Sequence, residues 1–204
     1  MQNTRVNRKS SPLLHNQPDF LRLFYALIPD DVTNARLQEC QIHVSGKKTP
    51  PENLHMTLFF LGNQPKRNLP ALNRFLDRIS FEPFEMKLDK IGYFPKIGLS
   101  WIGPGQTPEQ LARMFEDTRQ FLIPAYLEDK NENFRPHITL ARRSSKAEIK
   151  METPISWQVS RLVLMQSISS SEKGNHPEYR ILHERNGFNS NGIGHSCNAI
   201  RRNT

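Results

Sequence analysis

Two short segments of this 204-residue chain repeat one another: Leu54-His55-Met56-Thr57-Leu58 and Pro136-His137-Ile138-Thr139-Leu140. Both read His-x-Thr-Leu with an apolar x. Seven histidines, nine threonines and 21 leucines placed at random give only about 0.03 copies of that pattern. In a strand, successive side chains alternate faces, so His55 and Thr57 project from one side and Met56 and Leu58 from the other. His137 and Thr139 stand in the same relation to Ile138 and Leu140. Two imidazoles facing each other across a cleft can act as general acid and general base near neutral pH. Two hydroxyls can hold a tetrahedral oxyanion. A phosphodiester suits that set. One histidine protonates the departing alkoxide, the other activates water or a hydroxyl for in-line attack, and the threonines with a cation stabilise the phosphorane-like charge. Arg142, three residues past Thr139, is the candidate cation, within a run holding Arg135, Arg142, Arg143 and Lys146 and no acid. His15, His43, His176, His183 and His195 lack such flanks. Neither His55 nor His137 has a second ligand at metal-binding spacing, so neither metal nor cofactor is expected.

These segments need strands to carry them and helices to cover the strands. Leu21 to Ile28 reads as a buried strand closed by Pro29. Val32 to Val44 has an apolar spacing that predicts a helix, and Leu69, Leu72, Phe75, Leu76 and Ile79 mark another. A third begins at Thr107-Pro108-Glu109-Gln110, where threonine can cap and Gln110 completes a capping box. Its face runs through Leu111, Met114, Phe115, Thr118 and Leu122, with Pro124 beyond its end. Extended segments are expected at Asn53–Leu61, Phe84–Asp89, Leu99–Gly103, Phe134–Arg142, Gln158–Ser167 and Tyr179–His183. The resulting order suits α+β architecture, antiparallel sheets covered by helices, better than an alternating parallel sheet.

Composition bounds the rest. The polar stretches 1–18 and 186–204 are expected to be disordered tails around one domain at 19–185. Residues 1–19 and 186–204 each carry a net +2, so the formal +8 falls to +4 for residues 20–185, which solubility alone would explain. No run approaches the ~20 apolar residues of a membrane helix. The N-terminus lacks the apolar core of a secretory signal. Cys40 and Cys197 cannot make a disulfide framework. A cytoplasmic monomer is expected.

The two motifs and their surroundings resemble the two-histidine phosphoesterase superfamily, and within it the bacterial RNA 2′,3′-cyclic phosphodiesterases, also described as 2′-5′ RNA ligase-like. Arg22-Leu23-Phe24-Tyr25-Ala26-Leu27 is similar to the family's opening strand and Pro51 to Gly62 to its first motif. Ser100-Trp101-Ile102-Gly103 resembles the central strand and Phe134 to Arg142 the second motif. Ser167 to Ser169 with Tyr179-Arg180-Ile181-Leu182 resemble the closing hairpin. The resemblance implies a bilobal fold, two antiparallel sheets related by a pseudo-twofold axis and flanking a cleft, with helices outside. It implies metal-free hydrolysis of a 2′,3′-cyclic phosphate RNA end, or of a small cyclic nucleotide, to a 2′-phosphate. His55 would be the proton donor and His137 the acceptor; Thr57, Thr139 and Arg142 would bind the phosphate. An aromatic for nucleobase stacking falls at Phe60, although strict alternation puts Phe59 on the histidine face. Two alternatives use the same residues: 2′-5′ ligation by the reverse reaction, and a non-catalytic RNA-binding module.

Overall fold

A computed structural model of the chain describes residues 19–126, 134–146, 151, 153–168 and 177–187, with the side chains of 124–126 left aside. The two stretches expected to be tails fall outside it apart from Asn186 and Gly187. So do His15, His176, His195, Cys197, Ser169 and Ser170.

Among the described residues, ten strands and three α-helices build the fold. In chain order they are β1 (Phe20–Leu27), α1 (Asp31–Gln41), β2 (Lys47–Lys48), β3 (Met56–Pro65), α2 (Leu69–Arg78), β4 (Phe84–Leu88), β5 (Lys90–Phe94), β6 (Leu99–Gly103), α3 (Glu109–Tyr126), β7 (Ile138–Arg142), β8 (Ile155–Val159), β9 (Arg161–Ile168) and β10 (Glu178–Asn186). The architecture is mixed α+β with antiparallel sheets. The larger sheet runs β10-β9-β1-β3-β7-β6-β5, with β2 added beside β7, and β4 pairs with β8 in a second sheet.

Two halves of the large sheet, β10-β9-β1-β3 and β7-β6-β5, touch through a single antiparallel pair, Met56 opposite Ile138. Those residues are the x positions of the two His-x-Thr motifs. The sheet's pseudo-twofold axis therefore passes between the motifs, and β3 and β7 diverge from it. Since β6 occupies the other edge of β7, β2 takes the edge that β3 vacates, with Lys47 opposite Arg142.

One continuous core fixes the outer face. Leu58, Phe59 and Leu61 from β3 join Leu72, Phe75 and Leu76 of α2 and Leu111, Met114 and Phe115 of α3. The Tyr25 hydroxyl donates to Leu72 O at 2.8 Å, tying β1 to α2. On the opposite face Phe24, Ala26, Val163 and Met165 form a smaller apolar patch joined by Tyr179. That patch lies under His55.

Several boundaries differ from the sequence reading. α1 starts at Asp31, capped by Asp30, whose Oδ1 accepts the Thr33 N–H at 2.7 Å. It stops at Gln41 rather than continuing to Val44. α3 runs through Pro124 to Tyr126, because proline's fixed φ suits a helix and costs one backbone bond near its end. β5 was not expected: Gly92 interrupts its pattern, yet a Cβ there would sit 2.1 Å from Trp101 Cζ2. Glycine lets the indole lie flat across the strand.

Candidate active site

The strands that carry the repeat are irregular in the same way. Along β3 Tyr25 pairs with Phe59 and Ala26 with Thr57, so Leu58 is an extra, unpaired residue. Along β7 Ser100 pairs with Ala141 and Trp101 with Thr139, so Leu140 is extra. In each strand one bulge falls on the leucine of His-x-Thr-Leu, and β3 carries a second at Leu61. A bulge shifts side-chain parity by one. Residues three apart, Thr57 and Phe60, or Thr139 and Arg142, thereby come to share a face that a regular strand would deny them. Phe59 goes into the core, 1% exposed, while Phe60 is 40% exposed on the histidine side. The expectation from strict alternation, which put Phe59 on the histidine face, is corrected by this bulge.

All six residues singled out from sequence, His55, Thr57, Phe60, His137, Thr139 and Arg142, line one cleft of about 260 Å³. Arg22, Phe24, Asn53 and Tyr179 join them, together with Thr49, Ile97, Leu99 and Ser167. His55 directly precedes Met56 and His137 directly precedes Ile138, so the one paired position of the two strands sets both histidines beside the same junction.

The two rings are anchored alike. His55 Nδ1 lies 2.7 Å from Asn53 O and His137 Nδ1 lies 2.7 Å from Arg135 O. A carbonyl only accepts, so each Nδ1 carries a proton and donates it, and each Nε2 is left for chemistry. Aromatic walls hold the rings. Phe24 and Tyr179 lie 5.0 Å from His55, Tyr179 edge-on, and Phe94 and Trp101 lie 5.2 and 6.2 Å from His137.

Burial pushes the His55 pKa down to about 4, with the charges of His137 and Arg142 in the same direction and the Asn53 carbonyl opposing. Burial and Arg142 likewise lower His137, against its own carbonyl bond. Both imidazoles are therefore held toward the neutral form at pH 7. An anion between them would offset Arg142 and raise both pKa values. Among the described residues no group of three or more His, Cys, Asp or Glu could hold a metal ion, and no helix is long and apolar enough to cross a membrane.

The other two described histidines stand apart. His43 is exposed, and His183 Nε2 pairs with Asp77 Oδ1 at 2.6 Å on the outer face. Sequence reasoning did not single out Gln41, which is 6% exposed. Its Nε2 donates to Thr49 O at 2.7 Å and to Leu140 O at 2.8 Å. The second acceptor is the bulged residue of β7, which also receives the Thr49 N–H at 2.9 Å. Its one advance signal is a glutamine where α1 needs an inward-facing residue.

At the far end of the cleft the Arg22 guanidinium carbon lies 5.0 Å from the centre of the Phe60 ring, a cation–π contact.

Comparison with known proteins gives a consistent result. The family model described as the 2′-5′ RNA ligase superfamily matches residues 28–170. An RNA 2′,3′-cyclic phosphodiesterase of Thermus thermophilus is 34% identical over 181 residues, spanning 79% of this chain and 88% of that protein. One from Escherichia coli K12 is 33% identical over 135 residues, 62% of this chain and 74% of the relative. Among solved structures, Escherichia coli LigT complexed with 3′-AMP superposes with a TM-score of 0.72 at 26% identity, covering 83% of this chain and 99% of LigT. TT0787 of Thermus thermophilus gives 0.65 at 31% identity, covering 81% and 97%. With its paired motifs on one cleft and the family model spanning well over half its length, the chain belongs to the 2′-5′ RNA ligase superfamily.

Proposed function

We propose that the chain opens RNA 2′,3′-cyclic phosphate ends to 2′-phosphomonoesters by acid–base catalysis without metal. The observation that carries this reading is that both histidines, both threonines and Arg142 line one cleft, with each Nδ1 engaged by a carbonyl and each Nε2 left for chemistry. The relatives named as RNA 2′,3′-cyclic phosphodiesterases support the substrate class.

Thr57, Thr139 and Arg142 hold the non-bridging phosphate oxygens. His137 Nε2 accepts a proton from water as the water oxygen forms a bond to phosphorus. The P–O3′ bond opposite it breaks, and His55, protonated on both ring nitrogens once the bound phosphate anion has raised its pKa, passes its Nε2 proton to O3′. The 2′-ester remains. His137 is the more open of the two rings, as access for water requires. An RNA 5′-hydroxyl entering where water does would run the same step toward 2′-5′ ligation.

Phe60 and Arg142 each stand five residues past a histidine and just beyond a bulged leucine, so they occupy equivalent places about the pseudo-twofold axis. One is an aromatic face and the other a cation. This gives the cleft a direction, with phosphate charge toward Arg142 and the nucleobase against Phe60.

Incubation of a short RNA ending in a 2′,3′-cyclic phosphate, in EDTA, is the test. Wild-type protein should turn it over, while His55→Ala and His137→Ala should each be inactive with the fold retained. An active single mutant contradicts the mechanism.

A further inference from the structure

Three segments converge beside Arg142, and they are rich in one kind of charge. Lys47 and Lys48 lie on β2, Lys96 on the turn between β5 and β6, and Arg143 and Lys146 just after β7; all five are exposed. None of the segments 43–49, 95–98 and 142–146 contains Asp or Glu. Lysines scattered on a surface are ordinarily solvated and mean little. Here the backbone beneath them is built.

Ser45 Oγ meets Ser145 Oγ at 2.8 Å and accepts the Ser145 N–H at 2.9 Å. The Ser144 N–H donates to Gly98 O at 3.0 Å, Ser100 Oγ donates to Ser144 Oγ at 2.9 Å, and Tyr93 Oη donates to Ser144 O at 3.0 Å. Gly46 and Gly98 both have positive φ and pack against the Arg143 backbone, where a Cβ on Gly46 would sit 2.8 Å from Arg143 O. Arg143 itself has φ +51, the one non-glycine residue among those described with a left-handed backbone. L-residues with a Cβ avoid that region, and its occupation by a long basic side chain beside a phosphate site asks for a reason. Ile97, 65% exposed, lies among these charges and lines the cleft.

We propose that this rim binds the backbone of single-stranded RNA, taking phosphates adjacent to the reacting one, so that the preferred substrate is an RNA 3′ end and not a cyclic mononucleotide. The inference rests on the phosphodiesterase reading above. Fixed cations in line with Arg142 extend its positive potential along the strand, and release of counterions from the RNA drives binding. The exposed Ile97 offers an apolar contact for a neighbouring base.

Two substrates separate the rim from the chemistry: a short single-stranded RNA ending in a 2′,3′-cyclic phosphate, and a 2′,3′-cyclic mononucleotide. Arg143→Gly suits the test because glycine adopts the left-handed backbone freely, so the fold is kept. The paired variant Lys96→Gln/Lys146→Gln checks the result without touching the backbone. For the RNA, each should lower kcat/KM about tenfold at low salt. Removing one cation from a phosphate should flatten the log–log salt dependence by about 0.7. The mononucleotide should be processed as by wild type. Equal losses on both substrates, or none on RNA, overturn the proposal. Binding of an RNA ending in a 3′-phosphate, titrated in parallel, reads the rim independently of turnover. If wild type opens neither cyclic substrate, the catalytic reading fails, while an unchanged salt slope for that RNA in both variants rejects the rim.

Discussion

Gln41→Met probes how far the phosphate site depends on a bond made outside it. The substitution conserves shape while removing the Nε2 that donates to Thr49 O and to the bulged Leu140 O. Leu140 O keeps the Thr49 N–H at 2.9 Å, so one carbonyl is stranded and one is half-satisfied. A buried acceptor left without a donor costs about 1–3 kcal/mol. At ~2 kcal/mol the melting temperature of a domain this size should drop by roughly 4–8 °C. The bulge at Leu140 is what brings Arg142 to the cleft face with Thr139. Relaxing it should also weaken inorganic phosphate binding. Against a charge-assisted bond of ~1.5–3 kcal/mol, partial misplacement of the guanidinium predicts about a tenfold loss of affinity. The assay is a double-mutant cycle by calorimetry. In an Arg142→Ala background Gln41→Met should cost less than about twofold in phosphate affinity, although it still lowers the melting temperature. A full tenfold loss in that background would show that Gln41 does not act through Arg142 and refute the reasoning.

Three further outcomes follow from the site. Catalysis needs one imidazole protonated and the other neutral. With His55 at about 4 and His137 below its usual value, kcat/KM should peak on the acid side of pH 6.5 and fall on both flanks. A bound phosphate anion raises both pKa values, so the kcat profile should lie at higher pH, and coincident profiles would argue against the electrostatic coupling. Stability should likewise fall as pH drops from 6.5 toward 4, because the unfolded histidines take up protons there and the folded ones do not. Phe60→Ala should raise KM for RNA ends by about tenfold, from a stacking contact of ~1–3 kcal/mol, while leaving kcat for the bound complex nearly unchanged; a loss confined to kcat would remove Phe60 from the base-binding role.

Much of the site was legible because its chemistry repeats. Two His-x-Thr-Leu segments declare a symmetric pair of strands, and their alternation already sends Met56 and Ile138 inward and the imidazoles outward. The bulges were not legible. Nothing in Leu58-Phe59 or Leu140-Ala141 distinguishes a bulged leucine from a paired one, since the extra residue is set by how β1 and β6 pair with these strands. Phe60 could therefore be read from family resemblance and not from periodicity. Gln41 escaped for a related reason: its partners are carbonyls, one of them 99 residues away, and backbone acceptors leave no trace in residue identity. β2 was too short to show a pattern, and Gly92 masked β5. The Asn53 and Arg135 carbonyls that orient the imidazoles are equally invisible, although both lie two residues before their histidine.

The most direct measurement resolves the product of a short RNA with a 2′,3′-cyclic phosphate end, incubated with the protein in EDTA. A 2′-phosphate alone is expected, because the acid stands beside the 3′-oxygen and water attacks from the opposite side. A 3′-phosphate, a mixture of the two esters, or untouched substrate with the protein folded would contradict it.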